Sequence, residues 1–233
     1  MNIFIADKRR QNVSMKVLHI GKYYPPFSGG IENFMGDLLP LLSSPKTQIC
    51  ALVHDHSAGK LAQKETVNNI RIIRVPSYGR LLYAPISPAF PFYLYQTLKQ
   101  FQPDIIHIHM PNTSAFWVLF SSRAKKIPWV IHWHSDVIGS APNKLVAFAY
   151  HFYQLFERRL LKRSRKIIAT SPNYLHSSSV LKPWKDKTQI IPLGLPEQQV
   201  ILSSQAKQQA EQLWGRSNNR LLAIGRLTYY KGH

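Results

Sequence analysis

Six of the ten histidines in this chain fall into three His-x-His pairs: His54/His56, His107/His109 and His132/His134. On a β-strand the side-chain period of two puts both members of such a pair on one face, where two imidazoles could chelate zinc. The HWHSD run at 132–136 carries Val137 where a binuclear H-x-H-x-D-H hydrolase needs a further histidine. No carboxylate or cysteine set flanks the pairs, so no metal is expected. The expectation is that one histidine of each pair packs and the other faces a cleft. A second chemical feature is the pair Gly29-Gly30 in the stretch KVLHIGKYYPPFSGGIENFMGDLLPLL. Glycines just before a helix leave unpaired backbone N–H groups and the positive end of the helix dipole open to a phosphate or carboxylate. The loop is neither a Walker A loop nor a G-x-G-x-x-G turn. A plain flexible βα turn is the competing reading.

The elements that must hold these residues follow from periodicity. Val17, Leu18 and Ile20 form a short apolar run that ends at Gly21, and Ile31, Phe34, Met35, Leu38, Leu39 and Leu42 recur at helical spacing. The order is strand, glycine loop, helix. Further strands are expected over Gln48–Val53, Asn69–Val75, IIHIHM, WVIHWH, Lys166–Ala169 and Thr188–Ile191, with a polar loop from His54 to Asn68. Helices are expected from Ser87-Pro88 towards Gln102, over Ser114–Lys125, over Asn143–Arg163 and from Pro172 to Leu181. This alternation predicts an α/β fold, a Rossmann-like parallel sheet with helices on both faces. In such sheets ligands bind beyond the carboxyl ends of the strands, which singles out Gly29, His109, His134 and Ser171. Glu32 either orients the glycine loop or is an ordinary acid of the first helical turn. Ser171 lacks a G-x-S-x-G context, so a cap before Pro172 is the better account.

Composition narrows the partners. Thirty Lys and Arg against eleven Asp and Glu give a formal charge of +19 in 233 residues. Such a balance requires an anionic partner: nucleic acid, a lipid surface or a phosphorylated substrate. No nucleic-acid reading module is visible, so that class is not expected. The basic run ERRLLKRSRK at 157–166 ends a helix bearing Phe148, Tyr150, Phe152, Tyr153 and Phe156, a combination that suits an anionic membrane surface. No stretch is apolar enough to span a bilayer. The single Cys50 excludes an internal disulfide. Residues 1–14 read as an extension before the first strand, with no secretory signal, and Met15 is an alternative start. Residues 15–196 form the main domain and 197–219 a polar helix and turn. At 220–233 a new apolar strand, from Arg220, opens a second domain.

Taken jointly, YYPPFSGGIE at 23–32, DIIHIHMPN at 104–112, WVIHWHSD at 129–136, RSRKIIATSPNYLHSS at 163–178, DKTQIIPLGL at 186–195 and LLAIGRLTYYKGH at 221–233 resemble retaining nucleotide-sugar glycosyltransferases of the GT-B fold, family four. Within that family the mannosyltransferase-like members of bacterial surface polysaccharide synthesis are the most similar. The resemblance implies two Rossmann-like domains across a cleft, the acceptor held mainly by the first and the nucleotide sugar by the second. It implies that Gly29 and Gly30 lie against the donor diphosphate, that His134 contacts the sugar near the reacting carbon, and that Arg226 and Lys231 neutralise the leaving group. Glu32, His109, Asn112, Asp136 and Ser171 would line the acceptor side or cleft. No metal or other cofactor is implied, the nucleotide sugar being a substrate. The implied partners are a nucleotide sugar, a lipid-linked glycan acceptor and the inner, cytoplasmic face of an anionic membrane. The family's Glu-x7-Glu donor motif belongs beyond His233, so the chain alone is expected to be inactive. A non-catalytic α/β module that binds anionic lipid or a phosphorylated sugar is the alternative.

Overall fold

The computed structural model describes residues 14–57, 61–81, 84–137, 144–195, 201–214 and 219–222. Its strands are β1 (Met15–Ile20), β2 (Thr47–His54), β3 (Gln63–Val67), β4 (Ile70–Val75), β7 (Ile105–Met110), β8 (Trp129–Trp133), β9 (Lys166–Ala169) and β10 (Thr188–Ile190). Two-residue strands β5 (Arg80–Leu81) and β6 (Ala84–Pro85) make a separate small ribbon. The helices are α1 (Gly30–Leu42), α2 (Phe90–Phe101), α3 (Lys144–Arg163), α4 (Pro172–Ser177) and α5 (Ser204–Trp214). The large sheet runs β10-β9-β8-β7-β1-β2-β4-β3 and is parallel except for the β3–β4 pair.

Alternation along each strand divides the core between the two faces of this sheet. Leu18, Ile20, Cys50, Leu52, Ile106, Ile108, Trp129, Ile131 and Trp133 turn one way, packing with Phe90, Leu94 and Leu98 of α2 and Leu160 and Leu161 of α3. Val17, Ile49, Ala51, Val53, Ile70 and Ile72 turn the other way and meet Met35 and Leu39 of α1. Each fully buried Leu or Ile contributes about 1.5–3 kcal/mol. Helices therefore cover both faces, as the alternation of elements predicts.

Close approach explains two glycines. A Cβ on Gly21 would stand 2.6 Å from the Met35 sulfur, and one on Gly36 would stand 2.7 Å from the Pro25 ring. Both contacts draw α1 tightly against the end of β1 and the loop that follows it. At its other end α3 is finished by Lys187, whose Nζ donates to the carbonyls of Leu161, Lys162 and Ser164. A cation there meets the negative end of the helix dipole and satisfies carbonyls that have no intrahelical donor.

Three expectations need correction. The segment expected to be a polar loop before Asn68 contains β3, which joins β4 through Asn68-Asn69, both at positive φ (49° and 62°). That is a type I′ hairpin turn, and Asn is one of the few residues that tolerate it. The segment expected to be a helix over Ser114–Lys125 is two 3-10 segments, Thr113–Leu119 and Ala124–Lys126. Aromatic and β-branched residues (Phe116, Trp117, Val118) and turns at Phe120 and Ser122-Arg123 leave too little length for an α-helix to propagate. The helix from Pro172 ends at Ser177, not Leu181.

Residues up to Leu193 form one compact unit and residues 194–233 a second. The second contains α5, as the polar helix-forming composition predicts. Of the strand expected from Arg220 to Ile224, residues 220–222 are irregular and the rest, with Arg226 and Lys231, lie outside the described residues, as do residues 1–13.

The hairpin gives a direct test. Asn69→Val places a β-branched residue at positive φ and should lower unfolding free energy by about 1–2 kcal/mol, measured by urea denaturation; an unchanged midpoint would mean that the turn does not set the β3–β4 pairing.

Candidate active site

From the middle of the sheet the strand order runs outward in both directions, through β2 and β4 on one side of β1 and through β7, β8, β9 and β10 on the other. At such a switch point the connections leave to opposite faces and open a crevice at the carboxyl ends of the strands. The glycine loop leaves β1 there. Tyr23 and Tyr24 are buried, and backbone carbonyls of the loop accept hydrogen bonds from side chains of β2 and β4. Arg74, buried in β4, donates from one terminal nitrogen to the Tyr24 carbonyl at 3.3 Å and from the other to the Pro25 carbonyl at 2.6 Å, while its Nε meets Glu65 at 2.8 Å. His54 Nδ1 donates to the Lys22 carbonyl at 2.7 Å, which leaves its Nε2 to accept from the Ser114 hydroxyl at 2.9 Å. Arg80 lies over the rings of Tyr23 and Phe27, 5.4 Å from each centroid.

The loop delivers the chain to α1 with Gly29 as an extended N-cap that has no side-chain cap bond. Gly30 is exposed, and a Cβ built on it meets nothing within 4 Å. The first-turn N–H groups of a helix have no intrahelical acceptor, so this end can receive an anion. Glu32 is buried in the same turn, where the dipole favours an acid.

Beside that helix start the α1 face of the sheet carries imidazoles. Strand register sets His19 of β1 opposite His107 of β7, and His109 opposite His132 of β8. The rings stack: His107 on His109 at 4.8 Å, His132 on His134 at 4.3 Å and His19 on His107 at 4.6 Å. Phe34 of α1 covers them edge-on, 4.9 Å from His132 and 5.3 Å from His134. Both members of the second and third His-x-His pairs thus lie in one stack. His54/His56 divides into a buried and an exposed member and His132/His134 into a buried and a half-buried one, as expected, whereas both rings of His107/His109 lie within the stack. His109, expected on the cleft, is buried at 1 % exposure, whereas His134 is half-buried at the edge of the stack.

Burial keeps these rings uncharged. Desolvation, followed by repulsion from His132, lowers His19 and His134 to about 3, and desolvation alone lowers His132 to about 4. His107 and His109 are held well below the usual range, first by burial and then by their neighbours. Burial also brings His54 to about 4. His19 Nδ1 lies 3.1 Å from His109 Nε2, and His109 Nδ1 lies 3.1 Å from His134 Nε2. The triads His19/His107/His109 and His109/His132/His134 each place three nitrogens within 4.8 Å of one another. Rings lying within 19° of parallel in the second triad do not converge on one point, and a metal would compete with a hydrogen bond for the single lone pair of neutral His109.

The end of β8 is fixed by Asp136. Its carboxylate accepts from Trp133 Nε1 at 2.8 Å, the Tyr174 hydroxyl at 2.7 Å and the Ser178 hydroxyl at 2.9 Å, which ties the strand to α4. Nearby, Glu157 of α3 is buried and pushed up to about 7 by desolvation and then by the Asp136 charge. Asn112, expected on the cleft, acts as a cap, and Ser171 is the cap expected before Pro172. Asn112 is 3 % exposed and accepts from the Ser114 N–H at 3.1 Å, and Ser171 accepts from the Tyr174 N–H at 3.1 Å.

The domain family described as "Glycosyl transferase 4-like domain" matches residues 29–194, from the glycine loop to the last strand. The chain belongs to this glycosyl transferase 4-like family. Among curated members it is 32% identical to O-antigen chain mannosyltransferase C of Escherichia coli, over 94% of this chain and 56% of that protein. It is 30% identical to D-rhamnosyltransferase WbpZ of Pseudomonas aeruginosa, over 56% of this chain and 32% of that one. Among solved structures it superposes on sucrose-phosphate synthase from Thermosynechococcus elongatus with a TM-score of 0.62 at 18% identity, covering 84% of this chain and 52% of that one. On Anabaena Alr3699/HepE in complex with UDP-glucose the TM-score is 0.53 at 18% identity, over 88% and 51%. The sheet has the Rossmann-like fold of the N-terminal domain of GT-B structures, and the chain spans about half the length of the first of these relatives.

Within this glycosyl transferase 4-like domain the structure gathers Gly29, Gly30, Glu32, His109 and His134 around the start of α1. Sequence reasoning missed Arg74 as the anchor of the loop, His19 as a fully buried imidazole of the stack and Phe34 as its cover. Arg74 inside the apolar run IIRV and His19 inside VLHI were the available signals.

The six histidines with lowered pKa (His19, His54, His107, His109, His132 and His134) fix the acid response. A depressed folded-state pKa gives stability that is complete above the unfolded value of 6.5 and is lost as pH falls towards the folded values. Each such group costs about 1.4 kcal/mol per pH unit in that window. Glu157, raised from 4.5 to about 7, acts in the opposite sense but is one group against six. Unfolding free energy from urea titrations should therefore fall steeply between pH 6.5 and pH 5; a flat profile over that range would show that the stack is hydrated or charged in the native state.

Proposed function

We propose that this chain is the acceptor-side half of a retaining hexosyltransferase, which moves a hexose from a nucleotide sugar to a lipid-linked or polysaccharide acceptor. The observation that carries the reading is the uncapped, glycine-flanked start of α1 at the switch point, beside half-buried His134. The donor diphosphate lies against the N–H groups at Gly29 and Gly30, and the sugar near His134. Breaking the sugar–phosphate bond places negative charge on the leaving oxygen. Fixed dipoles aimed there stabilise the transition state more than the ground state. Arg226 and Lys231 add cations to the same leaving group. Mannose from GDP-mannose is the favoured donor, because relatives include proteins named O-antigen chain mannosyltransferase C and GDP-mannose-dependent alpha-mannosyltransferase. No metal takes part in this scheme. The remaining nucleotide and sugar contacts come from a second domain.

The test is donor hydrolysis and transfer with a panel of nucleotide sugars and extracted lipid acceptor, on this chain and on a version joined to a donor domain. Activity confined to the joined protein is the expected outcome. In that protein Gly30→Val should abolish transfer with the fold intact, since its side chain enters open space that the phosphate would fill. His134→Ala should lower turnover more than donor binding. Transfer retained in Gly30→Val, or turnover unchanged in His134→Ala, would remove the corresponding assignment.

Approach to the acceptor uses the outer side of α3. Phe148, Phe152 and Leu155 are 64%, 53% and 51% exposed, and at helical spacing the stripe continues into exposed Arg159 and Lys162. Apolar anchors beside cations fit the surface of an anionic membrane at its inner, cytoplasmic face. No described helix is long and apolar enough to cross a membrane. Phe148→Ser with Phe152→Ser should reduce sedimentation with vesicles containing phosphatidylglycerol and leave the weak binding to neutral vesicles unchanged. Equal binding of both proteins would assign the stripe to another contact and weaken the competing reading, a non-catalytic module for anionic lipid or phosphorylated sugar.

A further inference from the structure

Three of the stacked imidazoles form a hydrogen-bonded chain from the interior to the mouth of the site. His19 Nδ1 meets His109 Nε2, and His109 Nδ1 meets His134 Nε2, each at 3.1 Å. His19 and His109 are 0% and 1% exposed and His134 is half-buried, so the chain leads outward. A neutral imidazole has one N–H and one lone pair, so the central ring must donate to one neighbour and accept from the other. The protons of all three rings therefore run in a single direction.

Two observations set that direction. At the inner end His19 Nε2 is buried with no partner among the described residues. An inward chain would leave an N–H stranded there, and stranded buried donors are rarer than under-used acceptors. At the outer end the neighbouring start of α1 favours an oxygen-rich, anionic ligand. Such a ligand accepts from an N–H and repels a lone pair.

We infer that His109 and His19 are positioning residues for His134: each ring donates from Nδ1 to the Nε2 of the next, which fixes His134 as the Nδ1–H tautomer and aims one N–H at a ligand oxygen. This is the tautomer that a free histidine populates less, so the chain imposes it. The role rests on His134 facing the reacting sugar, as proposed above. His134 is accordingly a fixed hydrogen-bond donor and not a base. Burial supports this by keeping every ring neutral near pH 7. Phe34, edge-on to His109 and His134 at 6.3 Å and 5.3 Å, closes the chain against water that could scramble it.

The experiment is nitrogen NMR of this chain carrying ¹⁵N-labelled histidine, with His134 assigned through His134→Gln. Wild-type His134 should show a protonated Nδ1 and a bare, hydrogen-bonded Nε2, unchanged between pH 6.5 and pH 8. His109→Phe keeps a stacked ring but removes both bonds, and should return His134 to an exchanging mixture dominated by Nε2–H. His109→Asn sets an amide nitrogen near the former Nδ1 and should restore the wild-type pattern. In the version joined to a donor domain, His109→Phe should lower kcat on the order of tenfold to a hundredfold with little change in KM, as when a histidine loses its orienting partner. His109→Asn should recover most of that loss.

A wild-type His134 protonated at Nε2, or a tautomer indifferent to His109→Phe, would overturn the inference. A zinc titration that converts His109 and His134 to metal-ligated shifts at stoichiometric metal would also overturn it, in favour of a metal site. If the tautomer responds as expected but His134→Ala turns over normally, the proposed role of His134 fails while the chain stands. If His134→Ala is inactive and the tautomer does not respond, the positioning role fails and the transferase reading survives.

Discussion

Desolvation of imidazole is the constraint on which the site depends. Where the α1 face of this sheet passes β1, β7 and β8, five histidines sit beside the aliphatic residues that line the rest of that face. A charged imidazole there would lack both water and a counter-ion, so folding forces neutrality, and neutrality in turn permits stacking and a hydrogen bond from ring to ring. The same burial keeps the rings in a defined place next to the start of α1. A polar site built in this way is held by the fold itself, because the strands that carry the histidines are central strands of the sheet.

Much of the fold could be read from the chain because local and global signals agree in it. The run VLHI before glycines and the 3.6-residue stripe from Ile31 to Leu42 fix β1 and α1 without reference to anything distant. β3 escaped because its residues, QKETV, are exposed throughout and show no alternation of apolar and polar positions. Its pairing is specified by the turn that follows it and by the bond between Glu65 and Arg74 across the hairpin. The helix expected after β7 is two short 3-10 segments because Phe116, Trp117 and Val118 disfavour an α-helix and turns interrupt the run after Leu119.

The site was legible one element at a time. Period two predicts that His107 and His109 share a face, and likewise His132 and His134. What places the pairs together, with His19 beneath them, is the register of strands separated by up to about ninety residues in sequence, which no local pattern encodes. The same distance in sequence explains why His109 and Asn112 read as cleft residues: both follow or end a strand, but one is covered by Phe34 and the other turns back to cap its own segment.

The hairpin made by β3 has a consequence for how copies of this chain behave towards one another. An open parallel sheet offers unpaired N–H and C=O groups along its outer strands, and a flat apolar border would recruit a strand from a neighbouring molecule. Here one border is a strand of five exposed residues that includes Lys64 and Glu65, twisted by its antiparallel return through Asn68-Asn69. The opposite border, β10, is only three residues long. Both margins are thus poor templates for intermolecular β-pairing, which protects this strongly basic chain from sheet-mediated aggregation.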